Sequence, residues 1–292
     1  VIRFSTTDTA LHASIDAIAP TWRTRAQNRT AALANGTRTN ITKMWSEIKK
    51  VYMDLQGPKC AFCEKWIEDQ AIEQDVEHFR PKNRISRWRV PRKLRGEGIT
   101  VSQPAIGTED GYRLLAYHPF NYVTACKSCN SILKRDYFPI EGTRDSGNDN
   151  PRALGGERAF LIYPLGDLDD DPEQLIEFHG LSPQPRRPGF DRKRALVTIE
   201  IFKLDDPRTR KELLKDRAEF IEKLYFALKI RDDATSDAID KGNATSAVAR
   251  LTSTRSRYTN CLRCYERLWA TNRAEARAIY KNIASFLRTT SP

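Results

Sequence analysis

Six cysteines occur as three pairs, each with two residues between its members: Cys60 and Cys63, Cys126 and Cys129, Cys261 and Cys264. Two such knuckles supply the four thiolates of a tetrahedral structural Zn²⁺ site. Cys60, Cys63, Cys126 and Cys129 are therefore predicted to clasp together two segments far apart in the chain. Residues 64–125, between the knuckles, are more than a compact ribbon needs, so a further element must be inserted there. Cys261 and Cys264 read differently. They fall in register with Tyr265, Leu268 and Trp269 on one helical face, which predicts core packing; half of a metal site completed by another chain is the alternative.

Paired cysteines in a chain without an export signal point to reduced thiolates on a metal rather than to a disulfide framework, and hence to a cytoplasmic protein. The opening residues 1–19 intersperse Arg3, Asp8, His12 and Asp16 among apolar residues, which does not read as a secretory signal. No run of about 18 apolar residues occurs, which excludes a spanning helix. The 292 residues suffice for one large domain or two small ones without stapling. A formal charge of +11 favours a polyanionic partner, nucleic acid or a membrane surface.

Residues 10–35 read as one or two helices interrupted at Pro20. Ile41, Met44, Trp45, Ile48, Val51, Tyr52 and Leu55 form a stripe of helical period, stopped by Gly57 and Pro58. From there to Tyr137 the pattern is short and turn-rich, and residues 144–156 read as a surface loop. Residues 160–165 and 175–178 are expected as short strands around the acidic turn 167–171. Helices are expected at 191–204, 206–231 and 244–287, the last broken once. This gives an α+β chain in three regions: an N-terminal helical region (1–56), a core with two knuckles and a basic insertion (57–140), and a mostly helical remainder (141–292).

Between the knuckles lies Asp75-Val-Glu77-His78-Phe-Arg80-Pro-Lys82, followed by Asn121; Asn130 comes directly after Cys129, and Lys134 one helical turn later. Neighbouring Glu and His on an extended segment point to opposite faces, so the two serve one phosphate only at a strand end or bend. A carboxylate and an amide oxygen are hard ligands suited to Mg²⁺ or a similar cation, and a neutral imidazole beside it can take a proton from water near pH 7. An isolated His is ordinarily a surface or core residue. That reading leaves unexplained why this pair sits between two knuckles with an Asn after each half.

The order Cys-x-x-Cys, Glu-His, Asn, Cys-x-x-Cys-Asn, Lys resembles the HNH endonucleases with a zinc-bound ββα-metal core. Residues 76–82 (Val-Glu-His-Phe-Arg-Pro-Lys), Leu115-Ala-Tyr117, Ala125-Cys126, Tyr137-Phe-Pro139 and 170–175 are similar to the Septu PtuB-like and retron-associated HNH nucleases. The likeness covers roughly residues 40–230. It implies that His78 is the general base, and that Glu77 and Asn130 hold a catalytic Mg²⁺ or Mn²⁺. It also implies that Asn121 pins the loop orienting His78, and that the four knuckle cysteines bind structural Zn²⁺ only. Asp75 is a further outer-shell ligand or, more simply, a solvated turn carboxylate. The long spacing between His78 and Asn121 departs from compact HNH modules. The resemblance further implies phosphodiester hydrolysis in anti-phage defence, beside an SMC-like or ABC-like ATPase docked on the C-terminal helices. A self-sufficient restriction-like enzyme, a non-catalytic zinc-ribbon nucleic-acid binder and a metal-stabilised adaptor are the alternatives.

Residues 80–95 carry eight cations, Arg80, Lys82, Arg84, Arg87, Arg89, Arg92, Lys93 and Arg95, and no acid. Such a run gives sequence-independent, salt-sensitive affinity for DNA or RNA. Trp88 within it is expected to stack on an unpaired base, and Lys134 to join the same contact surface. No recognition helix is evident, so backbone contacts are expected. Asp167, Asp169, Asp170 and Asp171 read as a turn and an acidic helix start, His118 as a loop residue and His179 as structural.

Overall fold

The computed structural model describes residues 1–67, 73–102, 104 and 108–290. Helix α1 (Asp8–Ile18) starts at Thr7, whose hydroxyl accepts the Ala10 N–H at 3.2 Å, and buries Leu11 and Ile15. Pro20 separates it from α2 (Trp22–Ala34), which buries Trp22. The stripe from Ile41 yields a shorter α-helix than its period predicts. Residues 41–44 are irregular, Trp45–Ile48 forms a 3₁₀ turn, and α3 spans only Lys49–Gln56. The Met44 carbonyl accepts the Trp22 indole N–H at 2.9 Å, so side-chain packing takes over a group that a continuous helix would use. Gly57 follows at φ +58°, a left-handed value that suits glycine and ends α3.

The inserted region contains β1 (Asp75–His78), β2 (Arg84–Ser86), the short helix α4 (Arg92–Gly96), β3 (Thr108–Asp110) and β4 (Tyr122–Ala125). β1 pairs antiparallel with β4, Glu77 opposite Val123 and His78 opposite Tyr122; β2 pairs antiparallel with β3. A π-helical segment, Ser128–Lys134, leaves β4 through the second knuckle. Gln56 fastens α3 to this unit. Its amide donates to the Thr124 carbonyl at 2.9 Å and accepts the Thr124 N–H at 2.7 Å, while Ala61 N donates to the same carbonyl at 3.0 Å. Segments distant in sequence thereby reach one place.

Residues 160–165 are buried but form no strand; Leu165 makes one parallel bridge to Phe4. Asp171 caps α5 (Pro172–Leu175), accepting the Glu173 N–H at 3.0 Å, and β5 (Ile176–His179) pairs antiparallel with β6 (Ser182–Pro185). Five helices follow: α6 (Gly189–Phe202), α7 (Lys211–Arg231), α8 (Ala238–Leu251), α9 (Thr259–Thr271) and α10 (Arg273–Thr290). The stretch 244–287 is interrupted twice, not once. The first break leads to Tyr258 at φ +54°, the second lies at Asn272. The fold is α+β and mostly helical.

The helical part packs on the knuckles through Phe62, whose ring stacks on Phe202 with centroids 4.1 Å apart and planes at 14°. Among the described residues no helix is long and apolar enough to cross a membrane.

A buried four-cysteine clasp and the cleft beside it

The first knuckle follows the end of α3 and the second follows β4, so β-pairing and Gln56 together bring the two turns face to face. The Sγ atoms of Cys60, Cys63, Cys126 and Cys129 all lie within 4.8 Å of one another, and all four residues are buried. Sulfurs about 2.3 Å from a tetrahedral zinc lie roughly 3.8 Å apart; Cys63 Sγ and Cys126 Sγ are separated by 3.8 Å. The Arg210 guanidinium, just ahead of α7, reaches Cys129 Sγ at 3.6 and 3.7 Å, a charged donor suited to a metal-bound thiolate. A buried quartet of soft donors with this spacing can hold a structural zinc ion. Among the described residues it is the one such cluster of three or more His, Cys, Asp or Glu side chains.

Cys261 and Cys264 lie apart from it on the inner face of α9. The Cys261 thiol donates to the Gly180 carbonyl at 3.2 Å, and Cys264 Sγ accepts the Phe178 N–H at 3.3 Å. Both are core thiols, and burial pushes the Cys261 thiol up to about 12.

Next to the clasp, the end of β1 and the segment Ser128–Lys134 enclose a cleft of about 540 Å³. Glu77, His78, Lys82, Asn130 and Arg135 line it. Strand β1 ends at His78, which is how neighbouring side chains come to face one space. His78 is 6% exposed. Its Nε2 lies 3.1 Å from the Ala116 carbonyl, which also accepts the Tyr122 hydroxyl at 2.5 Å. A carbonyl can only accept, so Nε2 carries the proton and Nδ1 is the basic nitrogen. Burial, reinforced by the nearby Lys82 ammonium, holds this imidazole well below its ordinary pKa and keeps it neutral. The ring meets Trp45 edge-on at a centroid distance of 4.6 Å and Tyr122 at 4.9 Å.

Burial raises the Glu77 carboxyl above its usual range, an effect that Lys134 opposes. Lys134 Nζ makes an ion pair with Glu77 Oε1 and donates to the His78 carbonyl at 3.2 Å. Asn130 Nδ2 donates to Asp75 Oδ2 at 3.1 Å, which leaves the Asn130 amide oxygen unused by this bond. Asn121 stands behind the cleft. Its Oδ1 accepts the Arg80 N–H at 2.8 Å, and its Nδ2 donates to the carbonyls of Arg80 at 3.0 Å and Leu115 at 3.1 Å. It thus ties the residues after His78 to the turn before β4.

Three members of the expected nucleic-acid surface lie elsewhere than the sequence suggests. Lys134 is fully buried, because Glu77 supplies a counter-charge inside. Arg80 pairs with buried Glu157 at 3.2 Å and lies over the rings of Tyr112 and Phe138. Trp88 is 9% exposed and belongs to the hydrophobic core, so it offers no open face for stacking. Arg84, Arg87, Arg89, Arg92, Lys93 and Arg95 are exposed, with Arg84 paired to Asp136 and Lys93 to Glu200.

The acidic turn has internal partners. Asp169 and Asp170 pair with Arg194, and Asp167 pairs with Arg152. His118 caps a 3₁₀ turn by accepting the Phe120 N–H at 3.1 Å, and His179 pairs with Glu275 at 2.8 Å. Sequence reasoning missed Trp45 as the neighbour of two cleft residues, His78 and Lys82; its place in an apolar stripe signalled only core.

Over 173 residues the chain is 29% identical to Septu protein PtuB of Bacillus mycoides (strain KBAB4). The matched region is 59% of this chain and 50% of that protein, so the chain spans about half the length of the curated relative it matches. No family model and no solved structure matches the chain.

Proposed function

We propose that this chain is a metal-dependent nuclease of the HNH type, hydrolysing phosphodiester bonds of DNA or RNA by attack of a water activated at His78. The observation that carries the reading is the state of that imidazole. It is neutral, with the proton held on Nε2 by the Ala116 carbonyl, and it lines an open cleft beside cations. An antiparallel strand pair leading into a short helix, clasped by two cysteine knuckles, agrees with a ββα-metal core. The likeness to Septu protein PtuB agrees with the same reading.

In this scheme His78 Nδ1 takes the proton of the attacking water. Asn121 holds the turn after β1 so that the imidazole keeps its direction, and Lys82 faces the phosphate. Glu77 and the Asn130 amide offer hard oxygens, a donor set that fits Mg²⁺ or Mn²⁺, ions that retain several waters of their own. Such an ion supplies charge neutralisation at the scissile phosphate and the departing 3′ oxygen. The exposed arginines beyond β1 track the sugar–phosphate backbone. We further propose a role in anti-phage defence with an SMC-like or ABC-like ATPase, the C-terminal helices forming the docking face.

A non-catalytic zinc-ribbon binder is the second reading, and one observation favours it: the Glu77 carboxylate already has a cationic partner in Lys134. Purified protein incubated with plasmid, single-stranded DNA and tRNA in Mg²⁺ or Mn²⁺ separates the two. The nuclease reading expects cleavage that His78→Ala abolishes while binding persists. Binding without cleavage in the wild type, with and without the proposed ATPase partner, removes that reading.

A further inference from the structure

Resting on the nuclease reading, we infer that Trp45 is a positioning residue for the cleft: its indole steadies the His78 imidazole and carries the Lys82 ammonium on its face. The Trp45 and His78 rings meet at 4.6 Å with their planes at 88°, and Lys82 Nζ lies 4.5 Å from the Trp45 ring centroid. One half-buried side chain, placed by the 3₁₀ turn Trp45–Ile48 ahead of α3, therefore touches both groups that the proposed reaction needs.

The two contacts do different things. His78 is anchored through Nε2 to the Ala116 carbonyl, and a single hydrogen bond leaves the ring plane free to swivel about it. Edge contacts with Trp45 and Tyr122 fix that plane and hence the direction of Nδ1. Lys82 is a flexible four-carbon cation, and among the described residues no carboxylate lies within ion-pairing distance of it. An aromatic face holds an ammonium in place without neutralising it. The contrast with Lys134 is direct: a carboxylate cancels that charge, whereas the indole leaves the charge of Lys82 available to a phosphate.

The test compares Trp45→Leu, Trp45→Phe and wild type at one pH. The chain has four histidines, so ¹⁵N-labelled imidazole signals are few, and His78→Ala assigns the relevant set. The His78 ring protons are expected to lose their ring-current shift in Trp45→Leu, and its fixed Nε2–H tautomer to become mixed; Trp45→Phe keeps both. On supercoiled plasmid with Mn²⁺, kcat is expected to fall at least ~10-fold in Trp45→Leu with KM changed less than ~3-fold, and Trp45→Phe to recover most of it. If circular dichroism shows Trp45→Leu unfolded, Trp45→Met, which keeps bulk without a ring, carries the same expectation. Unaltered His78 signals in a folded ring-less variant overturn the inference. Absence of cleavage by the wild type, with the proposed ATPase partner present as well as without it, overturns the nuclease reading instead, and the His78 signals still decide the place of Trp45.

Discussion

Lys134 Nζ is shut inside the protein against Glu77 Oε1, one turn past the second cysteine knuckle. Each charge is tolerable there only because of the other.

Removing one partner is therefore expected to cost more than removing both. Lys134→Met leaves a buried carboxylate uncompensated, and chemical denaturation should show a loss of about 3–5 kcal/mol. The double variant Lys134→Met/Glu77→Gln should regain most of it, since the remaining groups are neutral. A double-variant loss equal to the sum of the Lys134→Met and Glu77→Gln losses would mean that the pair is not coupled.

The clasp predicts one tightly held zinc per chain. Cys126→Ser should lower the zinc content measured by plasma mass spectrometry and lower the melting temperature by at least ~10 °C, because metal binding is part of the folding free energy. Cys261→Ser should keep full zinc occupancy and lose only the packing of a core thiol.

His118 sets a pH dependence of stability. Burial lowers its folded pKa from 6.5 to about 4, and its Nδ1 must stay unprotonated to accept the Phe120 N–H. A depressed histidine pKa means that the unfolded chain binds the proton first. The stability it contributes is present in full above about pH 6.5 and is lost as pH falls toward 4. His118→Asn, which can still cap the turn, should make the stability curve less steep in that window, leaving the part that His78, also held low by burial, contributes. An unchanged slope would remove His118 as its source.

The exposed cations predict salt-sensitive binding. Replacing Arg89, Arg92 and Arg95 together with Ala should reduce the slope of log K against log salt by up to roughly 3, since about one counterion is released per phosphate contact. Arg80→Ala should act instead through stability, because its guanidinium is engaged with Glu157 and the rings of Phe79, Tyr112 and Phe138.

What could be read in the sequence was local spacing. The Cys-x-x-Cys turns, the adjacent Glu77 and His78, and the break at Pro20 each depend on residues close along the chain. What escaped depended on distant partners. Nothing near Lys134 says that Glu77 will meet it in the interior, and nothing near Arg80 announces Glu157. A cation in a basic run reads as solvated unless its counter-charge is known. The stripe from Ile41 was periodic, yet the Trp22 indole claimed the Met44 carbonyl and the α-helix began only at Lys49. The second interruption of 244–287, at Asn272, carries no Gly or Pro to announce it. Trp45 looked like one more apolar residue because its two neighbours in the cleft come from beyond the first knuckle.

Phe62 lies flat on Phe202, and Arg210 lies over Cys129, so the metal seat draws part of its wall from chain that comes some eighty residues later. A fragment ending before residue 189 would keep all four cysteines and lose that wall, and zinc bound to it is expected to be stripped by chelators faster than from the whole protein. The Phe202 ring and the Arg210 guanidinium thus join the end of α6 and the start of α7 directly to the two knuckles.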